Sequence, residues 1–570
     1  MPLSAHRIPS PCRFPTLRNC GNARPLPRPS AASAESSGTR GLLKNNPASR
    51  LISRLVSGEE TDSNDKQPSK QSSLKDHIKR LALEAQQSAP DSEASSQGSQ
   101  GSANALQTQV DAVTADLKGV QDTARAAIPE AWLQLPQHGF MTSEQREEVA
   151  QQAVDDEPLA PFLPPPELDL DYRPEGDGHE LVLQAFNWES HHQGWWPKVA
   201  EQGQRYADLG FTVVWLPPPT DSVSPQGYMP GDPYNLQSRY GSEIELKRCV
   251  GKLQEAGLKV LADIVINHRC AQAQDKNGIW NQFGGRMAWD AKAIVVNDRK
   301  FKGRGNRASG ASFDAAPNID HSQPFVKQDL SEWLQWLRTE IGFDGWRFDF
   351  VKGYDGTHVR DYVEATAPYF VIGEFWDTLS YEGALPKPNQ DAHRQRTINW
   401  LNAAGGRATA FDVTLKGILH AVFERNEYWR LDDGKGKPPS VMGWWPSRSV
   451  TFLENHDTGS TQGHWRFPED SLEEGYAYLM THPGTPSVFL DHIEQDKLRS
   501  VIVDLGKLRK KNQIHCRSQV KILRADSQVY VAETDGKILM KMGPGKYAPP
   551  SAEWSMAAEG NRWAIWERAT

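Results

Sequence analysis

Short apolar runs alternate with helical periodicity from about residue 180 to the end of the chain. Eight of these runs are rich in β-branched and aromatic residues and are apolar nearly throughout; they begin at Leu181, Phe211, Lys259, Gly345, Tyr369, Thr409, Ser449 and Ser487. Runs of this kind predict parallel strands that are buried on both faces of a sheet. Because eight strands alternate with helices, we predict an α/β fold, a closed (β/α)8 TIM barrel over residues 180–510, rather than an open doubly wound sheet.

Two segments depart from this alternation. Residues 268–330, between the third predicted strand and a helix beginning near Ser331, are glycine-rich and irregular, which predicts a small inserted domain. A further helix is predicted over about residues 499–510, and alternating apolar and polar positions follow it in VKILRA, QVYVAE and KILMKM. This alternation predicts a C-terminal antiparallel β-sheet domain in residues 511–570.

The first 179 residues differ in composition from the rest. Residues 1–58 carry nine basic side chains and a single acidic one, Glu35, among many Ser, Pro and Ala, which is typical of a transit peptide, although a basic disordered tail has a similar composition. Residues 59–179 are rich in Ser, Gln, Asp and Pro and are predicted to be a largely disordered or helical extension and linker. Apolar spacings of four and three in residues 106–127 predict a helix for docking or self-association, or else a lone amphipathic helix.

Composition excludes several classes of protein. With 38% hydrophobic residues and 45 glycines, the chain can build a sizeable core. A net charge of -8 argues against a general nucleic-acid partner, and no uncharged apolar run approaches the roughly 18 residues of a membrane span. Beyond residue 58 only Cys249, Cys270 and Cys516 occur, without metal-type spacing, which excludes a disulfide scaffold.

Carboxylates follow several of the predicted strands. Asp349, Glu374 and Asp457 each lie in or beside an apolar run, with Arg347 and His456 as close neighbours in sequence. The carboxyl ends of barrel strands share one mouth, so we expect these side chains to meet there. Any one acid at such a position could instead cap the following helix, which is the interpretation we favour for Asp263.

Three carboxylates at short range cannot all ionise cheaply, so the pKa of at least one should rise. A carboxylic acid beside an ionised carboxylate is the arrangement that glycoside hydrolysis needs. We expect the guanidinium of Arg347 to keep Asp349 ionised as a nucleophile, and Glu374 to act first as acid and then as base.

Four segments resemble the signature segments of the α-amylase family of retaining glycoside hydrolases, in particular its plant members, plastid-type ones included. They are ADIVINHR (262–269), GFDGWRFDFVKGY (342–354), VIGEFWD (371–377) and TFLENHDTGSTQ (451–462). QAFNWES, GYMPGDPY, QDAHRQR and GWWPSR extend the likeness over about residues 180–570. The resemblance implies endo-hydrolysis of α-1,4 links in starch and related glucans, by double displacement with retention, in the plastid (chloroplast).

Two alternatives share these motifs. One is a catalytically silent starch-binding or regulatory protein, for which we would expect at least one of the three carboxylates to be replaced. The other is an α-glucan transglycosylase of the same family. Since Asp349, Glu374 and Asp457 are all present, hydrolysis is the better prediction.

The resemblance also implies roles for single residues. Asp349 is implied as nucleophile, Glu374 as acid/base and Asp457 as the carboxylate that supports the transition state. Implied substrate contacts in the cleft are Tyr228, His268, Arg347, Lys352 and His456, and those outside it are Trp444 and Trp445. Trp280 is a second stacking candidate, and Asn455 and Asp263 are expected to support the site.

Calcium is implied by the same resemblance. Asn267 and the carbonyl oxygen of Gly353 stand at the expected ligand positions, but Ser312 and Asn318 occupy places where aspartates are expected. Asp314 could compensate from a position shifted by two residues. Neutral oxygens bring less charge to the ion than carboxylates do, so we expect calcium at a partly degenerate, weaker site.

Overall fold

The computed structural model describes residues 172–569, apart from Gln193 and Ala384. The predicted transit peptide and the predicted helix over residues 106–127 lie outside the described residues. In chain order the strands are β1 (Val182–Gln184), β2 (Val213–Leu216), β3 (Lys259–Ile264), β4 (Ala273–Gln274), β5 (Trp280–Gln282), β6 (Gly345–Phe348), β7 (Val371–Gly373), β8 (Tyr381–Glu382), β9 (Leu385–Pro386), β10 (Thr409–Phe411), β11 (Ser449–Phe452), β12 (Thr485–Phe489), β13 (Val520–Ala525), β14 (Tyr530–Thr534), β15 (Ile538–Met542), β16 (Trp554–Gly560) and β17 (Trp563–Arg568).

The α-helices alternate with the strands along this part of the chain. They are α1 (Trp195–Asp208), α2 (Glu243–Glu255), α3 (Pro324–Trp336), α4 (Gly356–Thr366), α5 (Asp391–Ala403), α6 (Val413–Arg425), α7 (Val441–Trp444), α8 (Leu472–Thr481), α9 (Leu490–Ile493) and α10 (Asp496–Lys511). A π-helical turn, Leu337–Ile341, extends α3. No helix in the described part of the chain combines the length and apolar character needed to cross a membrane.

Eight parallel strands close into a barrel, as the sequence predicts. Their order around the barrel is β1, β12, β11, β10, β7, β6, β3 and β2. The strands are buried along nearly their whole length because side chains fill the interior and helices cover the outside. One apolar cluster includes Trp215, Phe411 and Phe452, and a larger one joins the remaining strand positions to the helices.

Strand register brings charged residues together at one end of this barrel. Asp263 of β3 lies directly opposite Arg347 of β6. Phe348 of β6 is paired with Gly373 of β7, so the residues that follow them, Asp349 and Glu374, leave adjacent strands side by side. The parallel pairing of two strands therefore fixes the proximity of residues that are far apart in sequence.

Residues 265–323 separate β3 from α3 and contain the small β4/β5 hairpin. The helix after the insertion begins at Pro324, where proline occupies its first turn, and not near Ser331 as predicted. The buried guanidinium of Arg269 donates hydrogen bonds of 2.7–2.8 Å to three backbone carbonyls, those of Gly231, Met287 and Gly284. One side chain thus holds this long insertion against the loop that follows β2.

A C-terminal antiparallel sheet follows α10, which confirms the predicted domain type. Its strand order is β13, β14, β15, β17 and β16. The predicted alternating runs correspond to β13, β14 and β15, while β16 and β17 were not among the predicted strands. The hydroxyl of Tyr530 in β14 lies 3.0 Å from His482 Nε2 at the end of α8, which joins the sheet to the barrel.

The first described residues lie at the amino ends of the barrel strands. The backbone N–H of Val371, where β7 begins, donates to the carbonyl of Pro174 at 3.0 Å. Buried Glu175 forms a β-bridge with Phe370 and an ion pair of 2.8 Å with Arg448. The chain therefore joins the barrel at the end opposite to that reached by Asp349 and Glu374.

Candidate active site

The guanidinium of Arg347 is at the centre of the buried polar cluster. Its Nη1 lies 2.7 Å from Asp263 Oδ1 and 2.7 Å from Asp349 Oδ1, and its Nη2 lies 2.6 Å from Glu374 Oε1. Arg347 is fully buried, so these charge-assisted contacts operate away from water. One planar cation therefore gathers carboxylates from three neighbouring strands.

Backbone hydrogen bonds extend the barrel ladder to the two carboxylates of this cluster. The N–H of Asp349 donates to Ile264 O and that of Glu374 to Phe348 O, both at 2.9 Å. Phe350 then adopts a left-handed conformation (φ 44°) that turns the chain out of β6, and its N–H donates to Glu374 Oε2 at 3.1 Å. Both carboxylates are thus held where the hydrogen-bonded strands end and the loops begin.

Asp457 and His456 lie in the loop after β11. The side-chain oxygen of Asn455 accepts hydrogen bonds from the backbone N–H groups of Asp457 and Thr458, both at 3.0 Å, and so fixes this turn. The amide of Gln184 donates to His456 Nδ1 at 2.8 Å, which leaves Nε2 as the protonated nitrogen, 3.5 Å from Asp457 Oδ2. The side chain of Asn455 thus holds the turn that carries Asp457.

Burial dominates the protonation of this site. It raises the pKa of Asp349 above its usual range, although the charge and hydrogen bond of Arg347 act in the opposite direction. It raises the pKa of Asp457 further, assisted by the charge of Glu374, and that of Asp263 to about 7. Arg347 is shared between several carboxylates: it acts to favour the ionised form of Asp349, as the sequence suggested, but burial outweighs it in the pKa.

Within this site, two buried carboxylate oxygens have no hydrogen-bond partner among the described residues. They are Asp349 Oδ2 and Asp457 Oδ1. A buried, unpaired oxygen is costly unless a ligand completes it. These atoms are therefore where hydroxyl groups or a reacting carbon of a bound molecule would be expected.

Stacked rings form a wall beside the carboxylates. Tyr228 is nearly parallel to His456, with ring centroids 5.2 Å apart, and Trp188 is nearly parallel to both. The hydroxyl of Tyr228 donates to Asp263 Oδ2 at 2.9 Å, and Trp215 Nε1 donates to the same oxygen at 3.1 Å. Both oxygens of Asp263 are thus engaged by side chains of other elements, Arg347, Tyr228 and Trp215, rather than by the start of a following helix, so the capping interpretation was wrong.

His268 has a different environment from the one predicted. It is fully buried, its ring stacks on Phe313 at 3.8 Å, and its Nε2 lies 2.8 Å from the carbonyl oxygen of Tyr228. Burial lowers its pKa to about 4, so the ring is neutral. Because Nε2 donates to a backbone carbonyl, this geometry does not support His268 as a direct donor to substrate.

Lys352 is half-buried and tied to the loop after β7. Its Nζ lies 2.6 Å from Asp377 Oδ1, and Arg396 contacts the other oxygen of the same carboxylate. Burial acts to raise the pKa of Asp377, but the charges of Arg396 and Lys352 outweigh it and lower the pKa to about 2. The sequence did not single out Asp377, whose position in VIGEFWD, three residues beyond Glu374, could have suggested it.

The adjacent tryptophans are both half-buried. The guanidinium of Arg394 lies over the ring of Trp444 at 3.6 Å, and that of Arg448 over Trp445 at 5.2 Å. Neither ring is fully exposed, whereas the sequence predicted exposure of at least one. Trp280, in β5 of the insertion, is also half-buried.

The residues proposed for calcium come together only in part. A Cβ at Gly353 would clash with Asn267 Oδ1, so these two neutral ligand positions are neighbours. Asn318 instead uses its amide within the loop: Oδ1 accepts from Phe313 N at 2.7 Å and Nδ2 donates to Asp298 Oδ2 at 2.9 Å. Asp314 is exposed, and its backbone carbonyl accepts from the amine of Lys300. The donor set therefore fits calcium incompletely.

The fold and the position of the site define the class of protein as a (β/α)8 barrel with a buried, carboxylate-lined centre at the carboxyl ends of its strands, an arrangement that suits glycoside hydrolysis. Two domain models match the chain: "Alpha amylase, catalytic domain" over residues 182–282 and "Alpha-amylase C-terminal beta-sheet domain" over residues 511–567.

Sequence relatives agree with these matches. "Alpha-amylase 3, chloroplastic" of Arabidopsis thaliana is 57% identical over 395 residues, which is 69% of this chain but 44% of that protein. "Probable alpha-amylase 2" of the same plant is 46% identical over 395 residues, which is 69% of this chain and 95% of that protein. The chain belongs to the α-amylase family.

One solved structure supports the fold alone. The cyclomaltodextrin glucanotransferase CldA has a TM-score of 0.52 at 17% identity, covering 68% of this chain and 99% of that one.

Proposed function

We propose that the protein hydrolyses internal α-1,4-glucosidic bonds of starch and related glucans, with retention of configuration. The observation that carries this proposal is the binding of Asp349 and Glu374 by the single guanidinium of Arg347, with Asp457 in the same buried site. The names of the two Arabidopsis relatives support the same activity.

The proposed chemistry has two displacements. Asp349 Oδ2, which lacks a protein partner among the described residues, forms a bond to the anomeric carbon while the glycosidic C–O bond breaks and Glu374 gives its proton to the leaving oxygen. A water molecule then attacks the same carbon, Glu374 takes the water's proton, and the bond to Asp349 breaks. Retention of this kind predicts carboxyl groups about 5 to 5.5 Å apart.

The neighbouring groups would stabilise the charge that develops. Asp457 would bind sugar hydroxyls through its unpaired Oδ1, and His456 would donate from Nε2, since Gln184 occupies Nδ1. Tyr228 would offer its ring as a platform for the sugar at the cleavage point. We place His268 behind Tyr228 as a supporting group, in contact with its carbonyl rather than with substrate.

Other contacts extend along the glucan. Lys352, held by Asp377, would contact the leaving side of the chain. Trp444 and Trp445, each beside an arginine, would stack on starch outside the cleft. Trp280 stays a weaker candidate of the same kind.

We further propose location in the plastid, supported by the composition of residues 1–58 and by the name of the chloroplastic relative. Starch and related glucans are the proposed partners, without nucleic acid or membrane. The proposed domain division is 1–58, 59–179, 180–510 with an insertion at about 268–330, and 511–570. Self-association through residues 106–127 stays a prediction.

The decisive experiment compares starch digestion by the wild type and by Glu374→Gln. We expect the wild type to release α-configured maltodextrins and the variant to lose about 10²- to 10⁴-fold in kcat, because an amide cannot transfer the proton. Product lengths and anomeric configuration are measured by chromatography and NMR. The matched control, Glu559→Gln, makes the same change at an exposed site on β16 and should leave kcat unchanged.

Each other outcome has a definite meaning. β-Configured products would overturn the double displacement. Elongated or cyclic glucans without new reducing ends would indicate a transglycosylase. A folded wild type that binds starch without cleaving it would indicate the catalytically silent protein.

We propose that calcium, if bound, is held by Asn267 and the Gly353 carbonyl with low affinity, since charged ligands are few at this position. Exhaustive chelation should then lower activity and thermal stability, and millimolar calcium should be needed to restore both. The measurements are residual activity and melting temperature after removal and readdition of calcium. Full activity after chelation would eliminate calcium as a cofactor.

A further inference from the structure

A second group of ligand-type side chains lies in the loop that follows β1, apart from the carboxylate cluster. Glu189, His191 and His192 each offer one ligand atom within 4.8 Å of the others. His192 Nε2 lies 3.2 Å from Glu189 Oε2, and the two imidazole centroids are 3.8 Å apart. Ligands of a tetrahedral zinc ion, at bond lengths of about 2.0–2.2 Å, stand roughly 3.4 Å from one another, so small side-chain movements would enclose one ion.

The orientation of His191 suits a metal ligand. Its Nδ1 lies 2.9 Å from the backbone carbonyl oxygen of Trp188, and the side chain is buried. Donation from Nδ1 to a carbonyl leaves the lone pair of Nε2 for a metal. Metal-binding histidines are commonly oriented by this kind of hydrogen bond from the second ring nitrogen.

The loop is fixed by its own hydrogen bonds. The side-chain oxygen of Asn187 accepts from the backbone N–H of Glu189 and from the hydroxyl of Ser190, both at 3.1 Å. The amide of Asn187 donates to Asp491 at 2.7 Å, and the N–H of His192 bonds to the carbonyl of Glu189 at 3.0 Å. An ion would therefore enter a loop whose backbone is already ordered, at a lower entropic cost.

We propose that Glu189, His191 and His192 form a binding site for a divalent transition-metal ion of the zinc type. Two imidazoles and one carboxylate suit Zn²⁺ rather than Ca²⁺ or Mg²⁺, which select oxygen ligands. His192 is exposed, so the ion has a path from solvent, and a fourth coordination position stays open to water.

The site joins two walls of the cleft. Glu189 Oε1 accepts a hydrogen bond from the hydroxyl of Thr461, in the loop that carries Asp457, while Oε2 faces His192. One carboxylate oxygen can thus hold the loop after β11 while the other binds the ion. Trp188, next to Glu189 in sequence, stacks on His456. Bound zinc would brace the segment at residues 187–192 against the segment at residues 457–464.

The test is a zinc titration of the metal-stripped full chain, followed by calorimetry and by competition with a chromogenic chelator. We expect one ion per chain at micromolar zinc, and no comparable binding of Mg²⁺. His191→Gln and His192→Gln should each weaken zinc binding at least about tenfold, as losses in metal sites generally do. Hydrogen exchange in residues 187–192 and 457–464 should slow with zinc in the wild type only.

His179→Gln is the matched control, because it removes an exposed imidazole that also lies beside a second histidine, His515. It should keep wild-type zinc affinity. The proposal fails if the wild type binds no zinc at micromolar concentration, or if the double variant His191→Gln/His192→Gln retains the affinity while its melting temperature shows that it is folded. Neither readout depends on glucan hydrolysis.

Discussion

The side chain of Asp457 is placed for binding a ligand but lowers the stability of the folded protein. Its carboxyl is buried, and Oδ1 has no hydrogen-bond partner among the described residues. Burial, with the charge of Glu374 as the next cause, raises its pKa well above the usual range. An unpaired buried carboxyl of this kind costs stability unless a ligand completes it.

We expect Asp457→Asn to raise the melting temperature at pH 7, by about 1 °C for each kcal/mol of relief in a folded region of about 400 residues, while abolishing turnover. The sign follows from proton linkage: as pH rises above the ordinary Asp pKa of about 3.9, the unfolded chain ionises before the folded one, so the aspartate lowers stability. The gain should therefore shrink towards pH 3. Calorimetry at several pH values measures it.

Asp470→Asn, at an exposed position, is the control and should show no such pH-dependent gain. If Asp457→Asn melts at a lower temperature than the wild type at pH 7, then the carboxylate is stabilised by partners and the argument from burial is wrong.

Contacts between single residues could be predicted from the sequence only for residues that lie at the ends of predicted strands. The grouping of Asp349, Glu374 and Arg347 follows from their places beside apolar runs. The hydrogen bond between Gln184 and His456 joins residues 272 positions apart, and nothing in local pattern indicates such a pair. The donation of His268 to the Tyr228 carbonyl likewise depends on the path of a loop.

At the level of elements, α6 clamps the loop that carries Asp457. The fully buried amine of Lys416 donates to Leu453 O at 2.6 Å and to Trp465 O at 3.1 Å, and so bridges the two ends of that loop. Glu454 adds a second clamp, accepting from Phe467 N at 2.6 Å. A helix outside the barrel strands thus sets the position of a carboxylate inside the mouth.

We expect Lys416→Met to lower kcat, because both carbonyls lose their donor and the loop with His456 and Asp457 can shift. Each unpaired buried carbonyl should also cost about 1–3 kcal/mol of stability. Starch kinetics and chemical denaturation measure the two effects separately. Lys497→Met, at a side chain 86% exposed, should change neither. An unchanged kcat in folded Lys416→Met would contradict the clamp.

Strand positions were more predictable than strand lengths. The run at Thr409 corresponds to β10 and the run at Ser449 to β11, but the barrel strands contain only three to six residues each. The runs are longer because apolar residues continue into the loops, as Phe350 and Leu453 do. Hydrophobicity records burial, whereas the end of a strand depends on where neighbouring backbones stop pairing.

On the scale of the whole molecule, a buried ionisable contact joins the C-terminal sheet to the barrel. Glu474 of α8 accepts from the hydroxyl of Tyr428 at 2.9 Å and lies 3.5 Å from Arg562 Nε, in the turn between β16 and β17. Burial raises the pKa of Glu474 to about 7, and the charge of Arg562 opposes that shift. The carboxyl of Glu474, on the barrel, is thus partly stabilised in its charged form by Arg562 of the C-terminal sheet.

We expect Arg562→Gln to destabilise the protein by about 1–3 kcal/mol at pH 8 and by less at pH 5. Without the cation the folded-state pKa of Glu474 should rise above its value of about 7, so the loss should grow as the pH increases past 7, where the wild type ionises Glu474 and the variant does not. Urea denaturation at both pH values measures it.

Arg524→Gln, on the exposed strand β13, provides the comparison and should have little effect at either pH. Equal losses for Arg562→Gln at pH 5 and pH 8 would show that packing, rather than charge, joins the sheet to the barrel.

The order of the two sheets along the chain could be predicted because the pattern of apolar and polar residues shows which faces of a strand are buried. The eight apolar runs predicted the eight strands of the barrel, and the alternation of apolar and polar residues predicted three strands of the C-terminal sheet. Two strands were not predicted from the sequence, and a turn at Arg562 with positive φ separates them. β17 is largely buried between β15 and β16, whereas β16 is a mostly exposed edge strand. An exposed edge strand has no apolar face to reveal it.

The position of Pro174 and Glu175 at the amino ends of the strands has a practical consequence. A tether attached just ahead of Tyr172 would emerge on the side of the barrel away from the carboxylates. Enzyme fixed to a bead or electrode through that point would therefore present its mouth to the bulk solution, where a polymer far larger than the protein itself could still reach it.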